Sequence, residues 1–97
     1  MSLTSKQLNY LRKMSHNAKP VVIVGSAGLT DSVIEEIVSS LKYHELIKVR
    51  INAGDKKMRK EMIDKISLKT QSSLVFAIGH IASFYRQAEK TKIILPT

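Results

Sequence analysis

VVIVGSAGLTDSVIEEIV, residues 21–38, passes from an unbroken apolar run through two glycines into an amphipathic pattern. Val21–Val24 contains nothing polar, which predicts a strand buried on both faces. From Thr30 to Lys42, residues Val33, Ile34, Ile37, Val38 and Leu41 fall at i, i+1, i+4, i+5 and i+8, one continuous helical stripe. Thr30 is placed to cap that helix, and Asp31, Glu35 and Glu36 crowd toward its start, where the helix dipole favours acids. A strand, a short glycine turn and a helix form the first half of a crossover, so the fold class turns on whether a second strand succeeds the helix.

Downstream, Leu46–Ile51 alternates: Ile47, Val49 and Ile51 point one way and Lys48 and Arg50 the other, giving a strand with a core face and a wet basic face. Ala53-Gly54 turns the chain, Asp55 caps, and Lys56 to about Lys69 is a predicted helix with Met58, Met62 and Ile66 facing in. Ser73–Ile78 and Ile81–Arg86 read as two strands joined in a hairpin at Gly79-His80. Upstream, Thr4 and Gln7 make a capping box for a helix that stops before Asn17-Ala18-Lys19-Pro20. The tail, Gln87–Thr97, either adds a short edge strand or packs down through Ile93-Ile94-Leu95. The resulting order, α-β-α-β-α-β-β, is that of a compact α/β sandwich with a mixed sheet of about four strands. At 97 residues the chain suits a single domain, residues 1–97.

Charge carries more information than composition. Sixteen Lys and Arg stand against eight acids, a formal +8 with a pI near 9.9, which points to polyanionic partners. Residues 48–70 hold eight bases against three acids, whereas Gly25–Ile47 is net negative. Lys56, Lys57, Arg59 and Lys60 occupy the first turns of a predicted helix, where the dipole opposes each cation by roughly 0.3–1 kcal/mol. Selection for stability alone would put those bases at the other end. Their position marks a phosphate-contacting patch, the plainer alternative being a solubilising surface.

The glycine turn belongs to no nucleotide-binding loop of known spacing. Gly28 follows Gly25 by three, and Leu29-Thr30 comes where a Walker loop needs Lys and Ser/Thr. The three-glycine dinucleotide fingerprint is broken by Ser26-Ala27. What remains is GxxG, a backbone-clamping pattern in KH modules, although their loops join two helices. Small residues there let main-chain N–H groups reach phosphate oxygens, and a helix start adds partial positive charge.

Other chemistries lack their residues. Cysteine is absent, which removes disulfides and thiolate metal sites and agrees with a cytoplasmic location. His16, His44 and His80 have no second ligand at i+3 or i+4, so no metal site is expected. No serine lies in a nucleophile elbow, and Glu35 and Glu36 are adjacent helical positions that cannot face one substrate atom. No enzyme, cofactor or small-molecule substrate is expected. The sequence offers neither an apolar run of membrane-span length nor a charged leader, so a membrane partner is not expected either.

Lys19-Pro20-Val21-Val22, Gly25-x-x-Gly28-Leu29-Thr30, His44-Glu45-Leu46-Ile47-Lys48-Val49, Ile78-Gly79-His80 and Tyr85-Arg86, in this order and spacing, resemble the CRM domain family (CRS1–YhbY), in particular its stand-alone bacterial type. The resemblance spans nearly the whole chain. It implies a fold like the C-terminal domain of translation initiation factor 3, RNA binding, and association with precursors of the large ribosomal subunit. The family's loop maps onto Gly25, Ser26, Ala27 and Gly28. Members often carry a basic residue there, where this chain has neutral Ser26-Ala27, and commonly a proline after Tyr-Arg, where this chain has Gln87.

The basic face admits two readings. One is an RNA-binding assembly factor, expected to be a cytoplasmic monomer, whose contacts come from Lys19, Gly25, Ser26, Ala27, Gly28, Lys48, Arg50, Lys56, Lys57, Arg59, Lys60 and Arg86. The alternative is a protein-interaction adaptor whose basic face docks on an acidic protein surface.

Overall fold

The computed structural model describes residues 3–97; the first two residues of the expected 1–97 domain lie outside them. Its elements are α1 (Ser5–His16), β1 (Val22–Val24), α2 (Asp31–His44), β2 (Leu46–Ile51), α3 (Lys56–Thr70), β3 (Ser73–Ile78) and β4 (Ile81–Tyr85). The four strands form one mixed sheet in the order β1-β2-β4-β3, with β1 parallel to β2 and the other pairs antiparallel. This is the predicted element order, and the boundaries agree to within two residues.

Alternation along β2 divides the molecule into two layers. Ile47, Val49 and Ile51 join Val22 and Val24 of β1 and Ala82 and Phe84 of β4, and Ile37 and Leu41 of α2 and Ile63 and Ile66 of α3 close over them. The opposite face holds a smaller cluster in which Leu11 of α1 meets Val75, Tyr85 and Ile93, with Leu46 and Phe76 at its edge. Within that second layer the hydroxyls of Ser15 and Ser83, both fully buried, hydrogen-bond to each other. A register irregularity between Leu74 and Phe76 admits one extra residue in β3, Val75, which is buried in the α1 layer.

Three expectations need correcting. β1 is not buried on both faces: Val22 and Val24 are covered, but Ile23 is 59% exposed and Val21 is also open. The cause is that α1 packs over β2, β3 and β4 and leaves the outer face of this edge strand bare. For the same reason the basic face of β2 is not uniformly wet, since Lys48 is half-buried and only Arg50 stands clear. In α3 the inward face is Ile63, Ile66 and Thr70 with Met62 beside it, while Met58 is largely exposed. Met58 lies instead over the turn before the helix, where an added Cβ on Gly54 would come within 2.7 Å of Met58 Cβ. Gly54 also has φ +75°, so both the close approach and the backbone angle require glycine.

The helix starts behave as their residues dictate. Thr4 and Gln7 form the full capping box, Thr30 Oγ1 accepts from Val33 N–H at 3.1 Å, and Asp55 Oδ1 accepts from Met58 N–H at 2.8 Å. At the other end of α2 the chain turns sharply through Glu45, whose φ of +64° is unusual for a residue with a side chain. Glu45 is fully buried. Its carboxylate accepts the N–H groups of Ala88, Lys92 and Ile93, while its carbonyl accepts that of Arg86. The tail is thereby bent back without forming a strand. It buries Ile93 and reaches α1, where Gln7 Nε2 donates to Pro96 O and Lys6 Nζ to Thr97 O.

Burial pushes the Glu45 carboxyl up, but the three backbone N–H donors and the nearby Lys92 ammonium outweigh it and hold it below its ordinary value. Burial, and then the Glu45 charge, push the Tyr85 phenol up, and its hydroxyl has no hydrogen-bond partner among the described residues. Because Glu45 is more acidic folded than unfolded, its contribution is fully present above the unfolded carboxylate range and is lost as pH falls through the folded value. Glu45→Gln leaves one buried N–H donor facing an amide group, and should lower stability at neutral pH by about 1–3 kcal/mol. Urea unfolding of parent and variant at pH 7 and pH 3 checks this: the gap should narrow at the lower pH.

Candidate nucleic-acid interface

Parallel pairing of β1 with β2 decides where the glycine turn sits. Val24 aligns with Ile51, so both strands end at the same edge of the sheet. There β1 passes into Gly25–Gly28 and β2 into Asn52–Asp55 and then α3. Asn52 N–H donates to Val24 O at 2.8 Å and stitches the two exits together. The turn also rests against α3, because a Cβ added at Gly28 would lie 3.8 Å from Met62 Cε.

The turn itself is closed by Gly28 N–H donating to Gly25 O at 3.0 Å, and Gly28 O accepts from Thr30 N–H at 3.1 Å. Gly28 has φ +75°, whereas Gly25 has an ordinary negative φ and open space where a Cβ would stand. Within the GxxG turn an unusual backbone angle is therefore found at Gly28 alone. With the Gly28 amide engaged, the N–H groups of exposed Gly25, Ser26 and Ala27 have no partner among the described residues, and those of Ser26 and Ala27 stand in the middle of the turn.

The cations of α3 stand in the first turns of the helix that leaves this same end of the sheet, on its flank toward β3 rather than on the Met62 side that meets the turn. Lys56, Lys57 and Lys60 are exposed, and the first turn of the helix contains no acid. Arg59 is half-buried and donates from one terminal nitrogen to Gly54 O at 3.1 Å, while its buried Nε has no partner among the described residues. Arg50 projects from the other face of the sheet near the same edge, its Nε donating to Asn52 Oδ1 at 2.9 Å.

Three of the twelve predicted residues lie apart from this group. Lys48 is half-buried farther down β2 on the α1 side, and Lys19 precedes the opposite end of β1. Arg86 follows Tyr85, which pairs with Leu46 at the start of β2, so it lies at the far end of the sheet, where it donates to Thr70 O. At about 3.3 Å per residue, β2 alone separates that end from the turn by roughly 17 Å. Sequence reasoning passed over Asn52, which stitches the turn to β2 and carries neither a charge nor a periodic position that would have singled it out. Met62 was expected only as an inward-facing residue of α3, and it also backs the turn.

The model of the CRS1 / YhbY (CRM) domain matches residues 3–86. The chain belongs to this family. Among its CRM relatives, a Haemophilus influenzae protein named as RNA-binding is 40% identical over 95 residues, spanning 98% of this chain and 96% of that one. A Pseudomonas aeruginosa protein named as a probable RNA-binding protein is 37% identical over 90 residues, 93% of this chain and 86% of that one. The solution structure of a Staphylococcus aureus protein, described as a candidate RNA-binding protein, superposes with a TM-score of 0.84 at 36% identity, covering 98% of this chain and 100% of that one.

In this CRM domain the two glycines of the turn should respond differently to the same substitution. Gly28→Ala puts a side chain at φ +75° and should destabilise by about 1–2 kcal/mol. Gly25→Ala should change stability by less than about 0.5 kcal/mol. Thermal unfolding of the two variants checks this, and equal losses would contradict the distinct backbone angles of the two glycines.

Proposed function

We propose that this protein binds RNA, with the whole chain, residues 1–97, acting as one unit, and that it serves in the cytoplasm as a monomeric assembly factor on precursor RNA of the large ribosomal subunit. The observation that carries RNA binding is the shared exit of β1 and β2. It brings the free amides of Ser26 and Ala27 and the start of α3, with Lys56, Lys57 and Lys60, to one end of the sheet, so a backbone clamp and a cationic rim can act along one RNA strand. Relatives named as RNA-binding proteins support the same partner. The assignment to large-subunit precursors rests on the resemblance to stand-alone bacterial members of the family.

Phosphate neutralisation dominates affinity in such an arrangement, and direct reading of bases is secondary. Lys48, Lys19 and Arg86 are assigned to outlying contacts along a longer RNA path. Neutral Ser26 leaves the loop's grip to main-chain dipoles, so its contribution to affinity is smaller than that of the lysines.

Three measurements test this reading. Log affinity for a single-stranded RNA should fall linearly with log salt at a slope of roughly −3 to −4 for four to six phosphate contacts, and a flat response would exclude it. Replacing Lys56, Lys57 and Lys60 together with Gln should reduce that slope and the affinity while the melting temperature holds or rises, because cations opposed to the helix dipole are removed. In the loop, Ser26→Asp avoids the backbone strain of any change at Gly28; it should fold like the parent and bind RNA about tenfold more weakly, while Ser26→Lys should bind more tightly. Parent-like affinity in both Ser26 variants would make the loop a turn and nothing more.

A further inference from the structure

Along the cationic flank of α3 runs an open groove of about 630 Å³ between that helix and β3, within the roughly 300–1,000 Å³ range of small-ligand clefts. Its floor is aliphatic: Ile63 from the helix, Leu74 and Ala77 from the strand. Leu74 and Ala77 are exposed there although both share the sheet face that α2 and α3 cover elsewhere. On its rim stand Lys56, Lys57 and Lys60, together with Arg59, whose buried Nε has no acceptor among the described residues. Since β3 is an edge strand, one row of its backbone N–H and C=O groups has no strand neighbour among the described residues.

We infer that this groove receives an unstacked nucleobase from a single-stranded segment of the bound RNA, while the lysines on its rim hold the phosphates on either side. The inference rests on the RNA-binding reading above and adds to it the form of RNA recognised. Charge complementarity selects the polyanion: four cations surround the floor, and one acid, Asp64, lines it. Asp64 supplies an acceptor for the exocyclic amine of a base, and an aliphatic floor buries the base faces without discriminating strongly among them. A duplex cannot use such a groove, because its bases are stacked inside the helix and only a loop, bulge or end can splay one out. The lysines would thus bind both forms of RNA, and the groove would favour the single strand.

Fluorescence of 2-aminopurine, placed in a single-stranded RNA and in the same strand within a duplex, tests this directly on the parent protein. Emission should rise when the single strand binds, because the reporter leaves the stack, and should not change for the duplex. Ala77→Ile fills the floor with a residue suited to a strand and leaves every charge in place. It should lower affinity for the single strand about tenfold, abolish the emission rise, and leave both the salt slope and the duplex affinity at parental values. Single-strand affinity and emission unchanged in Ala77→Ile would overturn the inference. So would a parent that binds with the expected salt slope yet gives no emission rise, an outcome that leaves RNA binding standing and the groove to an apolar segment of an acidic protein. A parent that binds neither RNA would remove the underlying reading as well. Should Ala77→Ile fail to fold, Leu74→Thr removes apolar floor area at an exposed strand position and decides by the same two readouts.

Discussion

One buried carboxylate joins most of the chain's parts. Glu45 ends α2, begins the path into β2, accepts the backbone of Arg86 after β4, and gathers three N–H groups from the tail. Those donors would otherwise lose water without gaining a partner, a penalty of about 1–3 kcal/mol for each buried group. The left-handed backbone at Glu45 is tolerated because so many contacts determine it. With the tail held in this way, Ile93 closes the smaller of the two cores and the C-terminus comes to rest on α1. That core is where a 97-residue chain has least apolar area to use.

The larger core was readable from the sequence because its periodicities are strong. Five apolar residues at helical spacing from Val33 to Leu41, and strict alternation from Ile47 to Ile51, leave little choice of element or facing. Val21–Val24 misled for a physical reason. An all-apolar run says that a strand could be buried on both sides, and says nothing of whether enough helix exists to cover it. With one helix on the second face, Ile23 stays in water. Met58 misled similarly, since its helical spacing suits the core but Gly54 lets it fold back over the turn. Glu45 was invisible as an anchor, because its partners are main-chain N–H groups more than forty residues away, and no side-chain pattern encodes them.

The candidate site was readable as residue types, and only the topology shows which of them assemble. A GxxG turn and a lysine-rich helix start are separated by almost thirty residues, yet parallel strands deliver both to one edge. The pairing of β2 with β4 sends Arg86 to the opposite end of the sheet, although the sequence grouped it with the other candidate contacts. No sequence period links Ile63, Leu74 and Ala77, because a helix and a strand each supply part of the floor and Val75 interrupts the alternation between the two strand residues. Clefts made by two elements of different period are therefore the feature most readily missed from sequence.

The cations at the start of α3 have a consequence for motion. Ile63, Ile66 and Thr70 fasten the second half of the helix into the core, while the first half has Asp55 as its cap and a row of like charges along its exposed side. Local opening requires least energy where buried contacts are few and the dipole is opposed. The helix is thus held unevenly along its length, by buried side chains in its second half and by one cap beneath exposed cations in its first. A bound phosphate chain would relieve the repulsion among those cations and reverse the opposition of the dipole.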